Sequence, residues 1–265
     1  MRFITDFATT KGNFHRINQD CIGIYEAEYN SKNMILAFVC DGMGGEESGE
    51  KASGFCLKML EEWFINELKK FAPLFNINEI KESLNICIKT MNEKLCEYMN
   101  EKKIRLGTTI SVIYINPYNK YLICHVGDSR IYLIRKGIKQ LTIDHINKEK
   151  NRGNGIVECV GITENINIYY ALGSIKPNDY YIICSDGLYK TTDNREIKSA
   201  IIDIQDELKR NKNKITDAGE NINQSKIKTE VINKKIKKMI FDAIRKGEKD
   251  NISIALINCE RDSKK

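Results

Sequence analysis

The chain has 265 residues, of which 42% are hydrophobic and 29% charged, with a net charge of +6; that is enough for one large domain with a sizeable core and is ordinary for a soluble globular protein. Its nine cysteines are scattered, odd in number and contain no CxxC pair, which argues against a disulfide framework or a zinc site and for a reducing compartment. The opening MRFITDFATTKGN lacks the apolar stretch of a secretory leader, and no apolar run approaches the roughly 18 residues a bilayer requires, so a soluble, cytoplasmic chain with no membrane contact is expected.

In chain order, CIGIYEAE (21–28) and NMILAFVC (33–40) read as strands. The second runs into VCDGMGG, Val39–Gly45, where a carboxylate and glycines predict a turn. From Glu47 to Lys70 apolar residues recur at Ala52, Cys56, Met59, Trp63 and Phe64, and from Asn78 to Lys102 at Ile80, Leu84, Ile88, Met91, Leu95 and Met99. Both spacings predict helices, with Pro73 breaking the run between them. TTISVIYI (108–115), YLICHV (121–126), RIYLIR (130–135) and YYIICS (180–185) are the next predicted strands. Helices are then expected over Asn194–Leu208 and Ile227–Arg245, with residues 211–225 as a mobile polar surface insertion between them, and ISIALI (252–257) closes the series as a strand.

Close-spaced strands alternating with helix pairs, without a βαβ rhythm, predict an α+β fold with antiparallel sheets, as one domain over 1–265. The positive charge is local: residues 198–249 hold about fourteen Lys and Arg against eight Asp and Glu. A solvated helical face explains it, with a weak acidic partner as the alternative. Phe241 is the only aromatic there, so no nucleic-acid surface is expected.

Chemistry enters through aspartates at strand ends. Asp41 follows ILAFVC, Asp128 follows YLICHVG, Asp186 follows YYIICS, Asp250 opens DNISIALI, and Asp20 opens CIGIYEAE. Any one of them suits a turn. If their strand ends converge, the shared negative charge requires a cation. Oxygen donors without His or Cys at ligand spacing favour Mg²⁺ or Mn²⁺ over zinc, and paired divalent cations are the usual device against phosphate esters.

The ordered set NQD, VCDGMGGEESGEKAS, GTT, VGDSRIYLIR, LTIDH, ALG, CSDGL and DNISIAL resembles the metal-dependent Ser/Thr protein phosphatases of type 2C in their bacterial form, from about Asp6 to Asn258. The resemblance implies a β-sandwich of two antiparallel sheets flanked by helix pairs on both outer faces. It implies two to three Mn²⁺ or Mg²⁺ ions: Asp41 bridging two, the Gly42 carbonyl on one, Asp186 and Asp250 on the second, and Asp128 with Asp186 on a third. Gln19, Asp20 and Asn251 would support this shell, and a hydroxide between the metals would attack phosphorus in line. Phosphorylated proteins would be the substrates and a Ser/Thr kinase the opposing partner.

Three positions depart from the family pattern. Gln19 stands where Glu is usual, which removes one negative charge. His15, with Arg16 beside it, stands at the phosphate-binding arginine position; it either contacts phosphate or is an exposed loop histidine. Glu46 replaces a histidine assigned as the general acid; it either donates that proton, as a carboxyl with a raised pKa can, or complements a helix N-terminus. The segment between LTIDH and ALG, with glycines at 153, 155 and 161, is a candidate loop over the site. These departures also leave room for a pseudophosphatase acting as a phosphoprotein-binding module, or for a phosphohydrolase of small molecules.

Overall fold

A strand with Ile, Val, Leu or Tyr at nearly every position offers no face to water and needs cover on both sides. The computed structural model of the chain describes residues 1–44, 49–146, 157–218 and 224–261. Its first sheet takes β1 (Arg2–Thr10), β11 (Ile252–Glu260), β10 (Tyr180–Cys184), β7 (Arg130–Ile134) and β8 (Ile138–Gln140), in that spatial order. Its second takes β2 (Asp20–Tyr29), β3 (Lys32–Gly44), β5 (Ile110–Ile115), β6 (Lys120–Val126) and β9 (Tyr169–Ser174), with the short β4 (Leu106–Thr108) paired to the far end of β3. Every ladder is antiparallel.

Three apolar layers follow from the period of two along each strand. On β3, Ile35, Ala37 and Val39 meet Ala255, Ile257 and Cys259 of β11 and Tyr181 and Ile183 of β10 between the sheets. The alternate residues Leu36, Phe38 and Cys40 pack outward on α1 (Gly49–Glu62) and α2 (Ile77–Lys102). On the opposite face Ile182, Ile254 and Leu256 pack on α4 (Asn194–Ala218) and α5 (Gln224–Arg245), with the one-turn α3 (Asp186–Tyr189) at the strand end. Two sheets with helices on both outer faces are the expected sandwich.

Several elements differ from the sequence expectation. β3 does not stop at Cys40: it continues through Asp41 to Gly44 because β4 supplies a partner, pairing Gly42 with Thr108 and Gly44 with Leu106. The predicted 108–115 strand is split into β4 and β5 accordingly. The first predicted helix is α-helical only to Glu62; it widens into a π turn over Trp63–Glu67 and then tightens into a 3₁₀ turn over Leu68–Phe71. α2 is capped by Asn76, whose side chain accepts from Asn78 N at 2.9 Å. β1, β8 and β9 were not predicted; each is an edge strand or a three-residue one with much of its surface exposed. α4 continues through residues 209–218, so the first part of the expected 211–225 insertion is helical, while 219–223 lie outside the described residues. The basic excess sits on α4 and α5, where Lys235 pairs with Asp203 at 2.6 Å and Lys228 reaches Glu260 of β11 at 2.6 Å.

Candidate functional site

The β2–β3 register places Asp20 opposite Asp41. Asp128 lies two residues past β6, Asp186 opens α3 after β10, and Asp250 stands two residues before β11. Ser185, between β10 and α3, donates to Asp20 Oδ2 at 2.8 Å and so joins the two sheets at this end. Asp20, Asp128 and Asp186 are each buried, and one oxygen of each, Oδ1, has no hydrogen-bond partner. A buried carboxylate oxygen left bare is costly.

The carboxylates feel one another. Burial raises Asp41 well above the usual carboxylate range, and the charges of Asp20, Asp186, Asp250 and Asp128 push it further. Asp20 is lifted to about 7 by burial, against the hydrogen bonds of Ser253 and Ser185, with Asp186 and Asp250 adding to the rise. Asp128 is pushed up to about 6 by burial and by Asp186. Asp186 is raised by burial, an effect the neighbouring Lys190 partly offsets. Among the described residues, no three of these side chains already converge as a ligand set.

The frame around them is specific. Asp41 N donates to Thr109 Oγ1 at 3.0 Å, and Asp41 O accepts from Thr109 N at 2.9 Å and from Thr108 Oγ1 at 3.0 Å. Thr109 in turn bonds Ser129 Oγ at 2.7 Å, tying the junction of β4 and β5 to the loop that carries Asp128. Gly42 is required by close approach: a Cβ there would stand 2.3 Å from Gly49 O and 2.5 Å from Gln19 O. Gly187 is equally confined: a Cβ there would stand 2.1 Å from Asn251 O. Asn251 organises the neighbouring loop. Its Oδ1 accepts from Gln19 N at 2.8 Å, its Nδ2 donates to Lys11 O at 3.1 Å, and its backbone N donates to Asp250 Oδ1 at 2.9 Å.

Two residues beyond the predicted set reach the same carboxylates. Lys190 Nζ lies 2.5 Å from Asp186 Oδ2 and 3.2 Å from Asp250 Oδ2. Burial opposes its charge, but the bonds to Asp186 and Asp250 prevail and hold its pKa above the ordinary lysine value. Tyr189 Oη donates to Asp128 Oδ2 at 3.3 Å, while the Arg130 guanidinium covers its ring at 3.5 Å. Arg130 is itself anchored to the Asp144 carboxylate, Nε donating to both oxygens at 3.1 Å and Nη2 to Oδ2 at 2.6 Å.

Residues 6–152, more than half of the chain, match the family described as Protein phosphatase 2C. This chain belongs to that family. The relatives of the 2C chain include the "Serine/threonine phosphatase stp" of Listeria monocytogenes serotype 4b (strain F2365), 28% identical over 215 residues, covering 74% of this chain and 82% of the relative. A "Putative protein phosphatase 2C-type" of Streptococcus pyogenes serotype M6 is 26% identical over 97% of this chain and 96% of its own length. Among solved structures, the serine/threonine phosphatase Stp1 from Staphylococcus aureus superposes with a TM-score of 0.76 at 24% identity, covering 98% of this chain and 96% of that one. The S. agalactiae serine/threonine phosphatase gives 0.74 at 24%, covering 98% and 100%. At such identities the superpositions establish the 2C fold.

Of the site residues expected from sequence, Asp20, Asp41, Gly42, Asp128, Asp186, Asp250, Gln19 and Asn251 are brought to this end of the phosphatase 2C sandwich. His15 and Arg16 lie on the exposed loop beside it, with His15 Nε2 3.6 Å from Asp250 Oδ1. Glu46 falls outside the described residues, as does the 147–156 stretch of the expected loop over the site. Thr108, Thr109, Ser185 and Ser253 were present in the motifs but carried no assigned role. Lys190 and Tyr189 had only one pointer, their place directly after SDGL.

Proposed function

We propose that this phosphatase 2C chain hydrolyses phosphoserine and phosphothreonine monoesters on proteins, using two to three Mn²⁺ or Mg²⁺ ions. The observation that carries this is the set of unpartnered, buried Oδ1 atoms on Asp20, Asp128 and Asp186 beside the elevated Asp41. Carboxylates of this kind, with no His or Cys among them, fit a hard divalent cation. Asp41, Asp186, Asp250, Asp128 and the Gly42 carbonyl are the proposed holders, with Gln19 and Asp20 around them. When bound, such a cation pair supplies a nucleophile at neutral pH and charge that offsets the phosphoryl oxygens.

The chain's own residues then have separable tasks. Asn251 fixes the 11–19 loop through Gln19 N, Lys11 O and Ile17 O, and so holds His15 and Arg16 at the rim, where either side chain can donate to a substrate phosphate. Ser185 orients Asp20. Glu46, just before α1, is the proposed proton donor to the leaving serine or threonine oxygen; the alternative task is to complement the α1 N-terminus. Phosphorylated proteins and an opposing Ser/Thr kinase in the cytoplasm are the partners this reading implies. Among the described residues, no helix is long and apolar enough to cross a membrane. A non-catalytic, phosphoprotein-binding role is disfavoured by the presence of all the proposed directly ligating aspartates.

Turnover of a phosphothreonine peptide with Mn²⁺ tests the proposal. Asp41→Asn and Asp250→Asn should each lower the rate by at least about 100-fold, the upper end of what even supporting residues around a metal cost. Wild type turning over no faster than Asp41→Asn would end the enzymatic reading. Equal turnover of a phosphotyrosine peptide would end the Ser/Thr assignment. Glu46→Gln should slow the peptide more than p-nitrophenyl phosphate, whose leaving group needs little protonation.

A further inference from the structure

The five carboxylates of the site are not uniformly bare. Asp128 and Asp186 each engage one oxygen and leave the other unpartnered: Asp186 Oδ2 and Asp128 Oδ2 are taken, whereas both Oδ1 atoms are not. The groups that take them are consecutive in sequence. Lys190 Nζ bridges Asp186 Oδ2 and Asp250 Oδ2 at 2.5 and 3.2 Å, and Tyr189 Oη reaches Asp128 Oδ2 at 3.3 Å. Neither contact is incidental to the backbone. Lys190 caps α3 with its N–H on Asp186 O at 3.0 Å, so its side chain rises one turn above the carboxylate it binds. Tyr189 is pinned by the Arg130 guanidinium, which Asp144 holds.

An exposed lysine–aspartate pair contributes little by itself. This one differs in its surroundings, because its two partners lie beside the buried Asp128, so that a single ammonium acts on three carboxylates. A divalent cation held by Asp186 and Asp250 would sit close to this ammonium, and like charges at such a separation repel. Resting on the reading of Asp41, Asp186 and Asp250 as metal ligands, we propose that Lys190 is a tethered counter-cation that holds the Asp186–Asp250 pair in the metal-free protein and must be displaced when a divalent cation binds there. Tyr189 plays the lesser part at Asp128. The ammonium makes the empty site stable and lowers the affinity of the cation that needs Asp186 and Asp250, so that occupancy of this position follows the free divalent-ion concentration.

The test is calorimetric titration of Mn²⁺ into the metal-free full chain, with melting temperature measured alongside. Lys190→Met and Lys190→Gln, two variants in case one folds poorly, should bind the Mn²⁺ that Asp250→Asn abolishes at least tenfold more tightly than wild type. Both should melt lower than wild type in EDTA and gain more on Mn²⁺ addition. Lys190→Arg, which keeps the charge, should titrate like wild type. A lysine that merely braces α3 would lower the melting temperature of Lys190→Met without changing its Mn²⁺ affinity, and that result overturns the proposal. If Asp41→Asn, folded by circular dichroism, still binds Mn²⁺ as wild type does, the ligand assignment itself fails; if Asp41→Asn loses binding and Lys190→Met gains none, only the counter-cation role fails.

Discussion

Tyr181 points its ring into the layer between the sheets, edge-on to Tyr121 with ring centroids 5.7 Å apart, and its buried hydroxyl finds no hydrogen-bond partner. Tyr181→Phe keeps the ring and removes an unsatisfied group, so it should stabilise the protein by about 1 kcal/mol, read as a higher denaturation midpoint at unchanged m-value. His125 poses the opposite case. It is buried, bonds Ser111 Oγ at 2.8 Å, and faces His145 at 5.1 Å and Tyr169 at 6.4 Å between ring centroids. Burial lowers its pKa to about 4, helped by His145 and opposed by Asp144. The unfolded chain therefore takes up a proton that the folded chain refuses, and this contribution to stability is lost as the pH falls from about 6.5 towards 4. Relative to His125→Asn, wild type should lose up to about 1.4 kcal/mol per pH unit over that window, measured by thermal melts at pH 7.5 and 5.0. At this scale the sequence was legible where a carboxylate ends an aliphatic run, because solvation alone does not explain five such aspartates. It was silent on Tyr189 and Lys190, whose roles depend on where α3 aims its last turn, a direction no spacing encodes.

Elements were legible where burial is two-sided. β3, β5, β10 and β11 are aliphatic at nearly every position because one face meets helices and the other meets the second sheet. β1 escaped notice because RFITDFATT mixes polar and apolar positions, with residues towards its C-terminal end half-buried or exposed. The end of β3 was misplaced for a different reason. Glycines after Asp41 suggest a turn, yet here they allow the strand to pass against Gly49 and Gln19 while pairing with β4. Gly42→Ala tests that account. A methyl 2.3 Å from Gly49 O cannot be accommodated without moving β3 from the start of α1, so a loss on the order of 2–3 kcal/mol is expected, with weakened Mn²⁺ binding. The same substitution at Gly54, where a Cβ meets nothing within 4 Å, should be neutral or slightly stabilising in its helix.

Over the whole molecule, two helix–sheet layers close on a shared apolar seam, and one end of that seam is charged. Such an arrangement stores unfavourable electrostatics that a bound cation relieves. Stripping divalent ions with EDTA should lower the melting temperature, and saturating Mn²⁺ at about 100 times its Kd should restore about 2.7 kcal/mol, roughly 5–10 °C for a chain of this size. A melting curve indifferent to Mn²⁺ would contradict the charge argument. The layered architecture was readable from the order of strands and helices; the pairing of the first strand with the last was not, since no local pattern in RFITDFATT points to ISIALINCE. That pairing has a consequence for truncation. β11 lies between β1 and β10 and follows directly after Asp250. A chain cut after Lys249 has a sheet lacking an interior strand, and it loses Asp250 with it. One cut at that point therefore removes an interior strand and a site carboxylate together, so folding and cation binding should fail as a unit.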